Sequence, residues 1–145
     1  MSPAGGFAPL VPELDVANLA ASLRFWCDGL GFRVAYDRPE EGFAFLEREG
    51  GAQLMLCRAN GSWETAPLER PLGRGINFEL KVQEVAPLLA ALAAMRWPLF
   101  RPPHDAWYRI APGVEAGNRQ FLVQDPDGYL VRPAEDLGRR SAAAA

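Results

Sequence analysis

The amino-acid sequence predicts an α+β fold built from two copies of one βαβββ module. The segments PELDV at 12–16 and FELKV at 78–82 both contain Glu-Leu-x-Val, and they begin 66 positions apart (12 and 78). Apolar and polar residues alternate in both segments, which is the period of a half-buried strand. An apolar stripe with helical spacing follows each segment, and further short strands follow each stripe. The repeat therefore covers whole modules, and the four shared letters are its clearest trace.

Each module contains one predicted amphipathic helix. In the first, Asn18 is a favourable N-cap, and Gly29 and Gly31 end the helix. In the second, Pro87 lies in the first turn, where its missing N–H costs little. The apolar stripes consist of Leu19, Leu23, Trp26 and Leu30 in the first helix and of Val85, Leu88, Leu89, Leu92 and Met95 in the second.

The remaining elements are short strands, turns and a linker inside one domain, predicted to cover residues 1–138. Module one, at 9–58, has strands at 32–36, 43–47 and 53–57. Module two, at 75–136, has candidate strands at 99–101, 107–110, 119–124 and 129–132, with a tight turn at Asp125-Pro126-Asp127-Gly128. A linker rich in Gly, Pro and charge occupies 59–74, and the low-complexity end, 139–145, is predicted to be disordered.

Composition excludes several classes of function. The net charge of −3 and the scattered basic residues, of which only Lys81 is a lysine, do not form a nucleic-acid-binding surface. No secretory signal or membrane span is recognisable, so we expect a reduced cytoplasmic protein without a membrane partner. Cys27 and Cys57 have no histidine partner in the sequence pattern, which disfavours a thiol nucleophile.

Two motifs carry a family resemblance. Residues 22–26 (SLRFW) with 30–32 (LGF), and residues 119–128 (RQFLVQDPDG), resemble signatures of the glyoxalase/bleomycin-resistance/extradiol-dioxygenase superfamily, the vicinal oxygen chelate proteins. The resemblance covers residues 10–136 and implies two modules whose curled mixed sheets surround a cleft. It also implies a homodimer, because members commonly dimerise with clefts at the subunit boundary.

The metal-binding positions of that superfamily hold unsuitable residues here. By resemblance, the four ligand positions are occupied by Val11, Met55, Asn77 and Arg132, and none of these side chains is a good ligand for a divalent metal. The single histidine, His104, is predicted to lie in a solvated loop. We therefore expect no metal, no cofactor and no metal-dependent catalysis.

The metal-free members that the sequence resembles most are bleomycin resistance proteins, which confer antibiotic resistance by sequestering a cationic drug in a cleft. The resemblance implies a non-catalytic binding protein for a drug, such as a bleomycin-type antibiotic, or for a metabolite. The alternative is a lyase or dioxygenase-like enzyme with atypical or no metal ligands. The candidate ligand-binding residues are Glu13, Phe45, Met55, Trp63, Asn77, Glu79, Trp107, Phe121 and Arg132.

The charged residues in this set do not decide whether the ligand is a cation or an anion. Glu13 and Glu79 occupy equivalent strand positions. Their carboxylates either accept an amine-bearing ligand, or they pair with neighbouring arginines or lie at a solvated end of the sheet. Arg132 either binds an anionic ligand in a bidentate manner or neutralises one of these glutamates. For the aromatic residues, the alternative to ligand stacking is core packing at Phe45 and Phe121 and loop anchoring at Trp63 and Trp107.

Overall fold

The computed structural model describes residues 2–142, which contain eight strands and two α-helices. The first half contains β1 (Glu13–Val16), α1 (Leu19–Leu23), β2 (Arg33–Arg38), β3 (Phe43–Glu47) and β4 (Gln53–Arg58). The second half contains β5 (Asn77–Val82), α2 (Ala86–Ala94), β6 (Arg101–Ala111), β7 (Val114–Gln124) and β8 (Leu130–Ser141). None of the helices in this described part of the chain combines the length and apolar character needed to cross a membrane.

The eight strands form two four-stranded mixed sheets with the same topology. Sheet A has the order β1-β4-β3-β2, and sheet B has the order β5-β8-β7-β6. In each sheet the strand that precedes the helix pairs in parallel with the last strand of its module, and all other pairs are antiparallel. This repeated order confirms the predicted α+β fold class and the two βαβββ modules.

The chain divides into two compact units. Of the described residues, the first unit comprises 2–74 together with the turn at 125–129, and the second comprises 75–124 and 130–142. The first unit thus includes the predicted linker at 59–74. Within that unit Leu72 is buried, and its backbone N–H donates to the carbonyl oxygen of Asp127 at 2.9 Å. The linker is therefore packed against its own unit.

The first helix begins as predicted and then changes its winding. The side chain of Asn18 accepts a hydrogen bond from the backbone N–H of Ala21 at 3.0 Å, so Asn18 is the N-cap. After Leu23 the chain continues as a π-helix, Arg24–Gly29, in place of the single α-helix that the apolar stripe predicted. The aromatic side chains at positions 25 and 26 are both buried in this wider turn.

The predicted tight turn after β7 is a buried polar structure in the first unit. One carboxylate oxygen of Asp125 accepts from the N–H groups of Asp127 (2.9 Å) and Tyr129 (3.0 Å), and the other accepts from Trp26 Nε1 (3.2 Å). Burial outweighs these three donors and raises the pKa of Asp125 to about 6. Burial also raises the pKa of Tyr129 to about 12, so its hydroxyl stays protonated and donates to the carbonyl of Asp15 at 2.9 Å.

The strands of the second unit are longer than the sequence predicted. β6 contains position 101 of the segment predicted as a strand at 99–101 and all of the strand predicted at 107–110, while positions 99 and 100 lie outside it. His104 lies on this strand instead of in a loop. Pro102 and Pro103 cannot donate to a ladder, but β6 is an edge strand and its register shifts between Arg101 and His104. β8 runs to Ser141, so the strand includes 139–141, where disorder was predicted; positions 143–145 lie outside the described residues.

Candidate ligand-binding site

A hydrogen-bond network centred on Arg132 lies on one face of sheet B. The guanidinium donates through Nε to Asn77 Oδ1 (3.1 Å), through Nη1 to Gln120 Oε1 (3.2 Å) and through Nη2 to Glu79 Oε2 (3.4 Å). The network forms because β5 pairs with β8 in a register that places Glu79 beside Arg132. The structure thus brings together three residues predicted for the site, Asn77, Glu79 and Arg132.

Gln120 extends the network, and sequence reasoning missed it. Its side chain is almost fully buried, and its Nε2 donates to the hydroxyl of Tyr108 at 2.8 Å. The same Nε2 lies 3.4 Å from Nε2 of His104, whose Nδ1 faces the carbonyl of Pro102. This buried glutamine therefore connects Arg132 to two ring side chains in one polar network.

Glu79 is paired with two cations. Lys81 Nζ lies 2.7 Å from Glu79 Oε1, and Arg132 Nη2 lies 3.4 Å from Glu79 Oε2. Of the two alternatives for this glutamate, the structure therefore shows the ion pair with a neighbouring arginine. Glu13, the equivalent residue on β1, pairs in register with Met55 and has no such arginine opposite it in the parallel ladder.

An open pocket of about 600 Å³ lies above the network on sheet B. Its wall combines the exposed apolar surfaces of Tyr108 and Ile110 with charged side chains from β5 and β8. Three cations and two carboxylates line it, namely Lys81, Arg132 and Arg139 with Glu79 and Asp136. A cavity of this volume with a few converging polar groups has the general character of a small-molecule site.

The corresponding face of sheet A is apolar and aromatic. Pairing places Glu13, Met55, Phe45 and Tyr36 in one row across β1, β4, β3 and β2. The rings of Tyr36 and Phe45 are stacked, with centroids 5.1 Å apart. Phe45 and Met55 therefore lie on one face of sheet A, and Phe45 is buried there.

A segment at 3–9, here called the N-terminal strap, packs against this face of sheet A. The ring of Phe7 makes edge contacts with Phe45 (5.5 Å) and Tyr36 (6.3 Å), although Phe7 itself is 60% exposed. Gln53 accepts from the N–H of Ala8 at 2.8 Å and donates to the carbonyl of Gly6 at 2.7 Å. The strap is a second feature that the sequence analysis missed, because side chains and not a strand ladder hold it in place.

Replacing the side chain that holds the strap should release it. In Gln53→Leu, the Ala8 N–H loses its acceptor, and we expect its hydrogen exchange to accelerate about fivefold, since one hydrogen bond is worth about 1 kcal/mol. Gln83→Leu, at an exposed position of the second unit, is the control and should leave the Ala8 amide unchanged. Equal Ala8 exchange in both variants and in the wild type would show that Gln53 does not hold the strap.

The other predicted aromatic residues are not gathered at the pocket. Trp63 is 69% exposed in the segment 59–74. Trp107 lies under the guanidinium of Arg140, 4.2 Å from Cζ to the ring centroid, opposite Gly117, where any Cβ would lie 2.7 Å from the indole. Phe121 is fully buried, which is the core packing that had been weighed against a ligand role.

The residues at the family's metal positions do not fit a divalent metal. Val11 offers no donor atom, and the amide oxygen of Asn77 already accepts from the cationic side chain of Arg132. Throughout residues 2–142, no group of three or more His, Cys, Asp or Glu side chains is placed to hold an ion. The donor set therefore provides neither the ligand type nor the negative charge that such a metal requires.

The two cysteines provide no nucleophile to the site. Both are free thiols in the first unit. Burial raises the pKa of Cys27 and of Cys57, with smaller contributions from neighbouring carboxylates. Both side chains are thus thiols and not thiolates near neutral pH, which is the unreactive form.

The repeated βαβββ fold and the residues at the four metal-ligand positions point to one class of protein, and comparison with known families identifies it. The family model described as "Glyoxalase/Bleomycin resistance protein/Dioxygenase superfamily" matches residues 12–132. The chain therefore belongs to this superfamily. No curated protein matches the chain.

Solved structures of several proteins are similar to this chain. A glyoxalase/bleomycin resistance protein/dioxygenase superfamily member from Vibrio splendidus 12B01 is 36% identical, with 88% of this chain and 97% of that chain covered and a TM-score of 0.39. TioX from Micromonospora sp. ML1 is 20% identical, with 90% and 100% covered and a TM-score of 0.66. Virulence protein STM3117 from Salmonella typhimurium is 13% identical, with 89% and 97% covered and a TM-score of 0.64. The last two likenesses show a shared fold.

Proposed function

We propose that this protein is a non-catalytic small-molecule binding protein that sequesters a drug or metabolite in a metal-free cleft, as bleomycin resistance proteins do. The observation that carries the proposal is the Arg132 network. A guanidinium stands where the family resemblance places a carboxylate ligand of the metal, and Asn77, Gln120 and Glu79 hold it there. A positive charge at this point disfavours the binding of a metal cation.

The side chains around the pocket support binding better than catalysis. A general base needs a carboxylate or imidazole that is available to the substrate's proton. Glu79 is held by Lys81 and Arg132, and Asp136 accepts from the backbone N–H of Gly138 at 2.8 Å. Each carboxylate would have to leave these partners before it could reach a substrate's proton, so these groups suit ligand positioning and charge balance.

The size of the pocket supports a compact ligand or one part of a larger drug. About 600 Å³ falls within the range of small-molecule sites. The pocket is open on one side, and Tyr108 and Ile110 present apolar surface at its rim. Sequestration requires such a surface but no bond-making group.

Metal addition and ligand titration on one purified sample test this proposal. We expect that Zn²⁺, Ni²⁺ or Mn²⁺ added to EDTA-treated protein leaves the melting temperature unchanged, and that calorimetry detects micromolar binding from a panel of drugs and metabolites. Metal-free bleomycin belongs in that panel as the ligand of the family's metal-free members. Stoichiometric metal binding, or binding only after metal addition, would contradict the proposal.

A further inference from the structure

We propose that the sheet B pocket takes a small molecule with an anionic group and an apolar body, and that Arg132 binds the anionic group. This inference rests on the proposed function, because it assigns a ligand class to the same pocket. The sequence left the charge of the ligand undecided, because a cationic ligand and an anionic ligand require opposite charges at this site.

The charge balance of the pocket favours an anion. Lys81, Arg132 and Arg139 line it together with only two carboxylates, those of Glu79 and Asp136. Both carboxylates are already engaged: Glu79 by Lys81 and Arg132, and Asp136 by the Gly138 N–H and by Arg139 at 3.7 Å. A cationic ligand would have to displace these partners, whereas an anion meets the excess positive charge directly.

The guanidinium of Arg132 has donors left for such an anion. A guanidinium carries five N–H donors in a planar fork, and the contacts with Asn77, Gln120 and Glu79 engage one on each nitrogen. One N–H on Nη1 and one on Nη2 have no hydrogen-bond partner in the described part of the chain. Terminal guanidinium N–H groups of this kind donate charge-assisted hydrogen bonds to a carboxylate or phosphate.

The orientation of the guanidinium is set mainly by neutral partners. Its Nε and Nη1 donate to neutral amide oxygens, and the Gln120 amide is buried and bound to the hydroxyl of Tyr108. Among residues 2–142, the one anionic contact of Arg132 is with Glu79, and at 3.4 Å it is the longest of the three. The positive charge is thus oriented mainly by neutral groups and is not cancelled by a close bidentate carboxylate, so it remains available to a ligand.

The apolar body of the ligand has its own surface in the same pocket. Tyr108 is 45% exposed and Ile110 is 55% exposed, and Ala116 lines the pocket beside them. Exposed large apolar side chains next to a converging set of polar groups are typical of sites that recognise amphipathic molecules. The combination points to an aromatic or aliphatic acid.

Two matched fluorescent probes test the inference on the full chain. 8-Anilino-1-naphthalenesulfonate is an apolar anion, and N-phenyl-1-naphthylamine is the same framework without the charge. We expect the anion to bind the wild type more tightly than the neutral probe. Arg132→Gln should weaken binding of the anion about tenfold, because a charge-assisted contact is lost, and should leave the neutral probe within about twofold.

The control variant is Arg109→Gln, an exposed arginine on β6 that does not line the pocket, and it should bind both probes as the wild type does. If Arg132→Gln fails to fold, Arg132→Lys takes its place in the test, because lysine keeps the positive charge but lacks the planar guanidinium donors. Selective weakening of the anion supports the inference, and unchanged affinity overturns it.

The failures of the two proposals can be distinguished by adding the cationic dye thioflavin T. If the neutral or the cationic probe binds more tightly than the anion, and each probe displaces the others, the anionic ligand class is overturned and the proposed function still stands. No saturable binding of any of the three probes would overturn both the pocket as a binding site and the ligand class inferred for it.

Discussion

Raising the pH from 3.5 to 7.5 is expected to lower the free energy of unfolding of the wild type by about 3 kcal/mol relative to Asp125→Asn. The cause is the buried carboxylate of Asp125, whose pKa burial raises to about 6 from an ordinary value of 3.8. The folded state therefore binds the proton of Asp125 more tightly than the unfolded state does.

The direction of the effect follows from this difference in proton binding. Below pH 3.8 the carboxyl is protonated in both states, and its contribution to stability is fully present. Between pH 3.8 and about 6 the unfolded state loses the proton first, so stability falls as the pH rises. Above that window both states are ionised, and the difference between wild type and variant becomes constant.

Urea unfolding monitored by tryptophan fluorescence at several pH values measures this difference. Asp125→Asn keeps an acceptor for the N–H groups of Asp127 and Tyr129 but cannot titrate. The new amide N–H₂ group faces Trp26 Nε1, and this unfavourable contact lowers stability by the same amount at every pH. The pKa of Asp125 is therefore tested by how the difference in stability between the two proteins changes with pH, and not by its absolute size. Parallel stability–pH curves for the two proteins would contradict an elevated pKa at Asp125.

Replacing Phe121 by Ala is expected to lower the free energy of unfolding by about 3–5 kcal/mol. The ring is fully buried on β7, and its removal leaves a cavity that the surrounding strands fill only partly. Phe121 does not line the sheet B pocket, so ligand affinity of the folded variant should stay near that of the wild type.

A volume-conserving change provides the control for this prediction. Phe121→Leu keeps most of the buried apolar volume and should cost less than about 1.5 kcal/mol. Chemical denaturation gives the stability of both variants, and probe titration gives their affinities. A Phe121→Ala protein with wild-type stability and lost ligand binding would instead make Phe121 a ligand-contacting residue, as the sequence analysis had proposed.

The repeat was predictable because period 2 alternation and helical stripes are local properties of the chain. Shared parity correctly placed Asn77 and Glu79 on one face of β5, where both contact Arg132. The continuous strand β6 was not predictable, because two consecutive prolines normally interrupt a ladder. Here they lie on an edge strand beside a register shift, a circumstance that only the sheet order reveals.

The pairing of charges at the site was the part that local pattern could not supply. Whether Glu79 meets a ligand or Arg132 depends on the register between β5 and β8, which are far apart in sequence. The role of Gln120 depends on three strands at once, and the strap is held by Gln53, which reads as an ordinary strand residue. These are tertiary contacts between residues that carry no local signal of their own.

The central claim is that the sheet B pocket binds small molecules without a metal, and protein-observed NMR on EDTA-treated, isotope-labelled protein tests it most directly. A fragment set that spans anionic, neutral and cationic compounds should give saturable shift changes that cluster at Glu79, Tyr108 and Arg132 and do not depend on added Zn²⁺. Shift changes confined to other regions, or changes at these residues only after metal is added, would contradict the account.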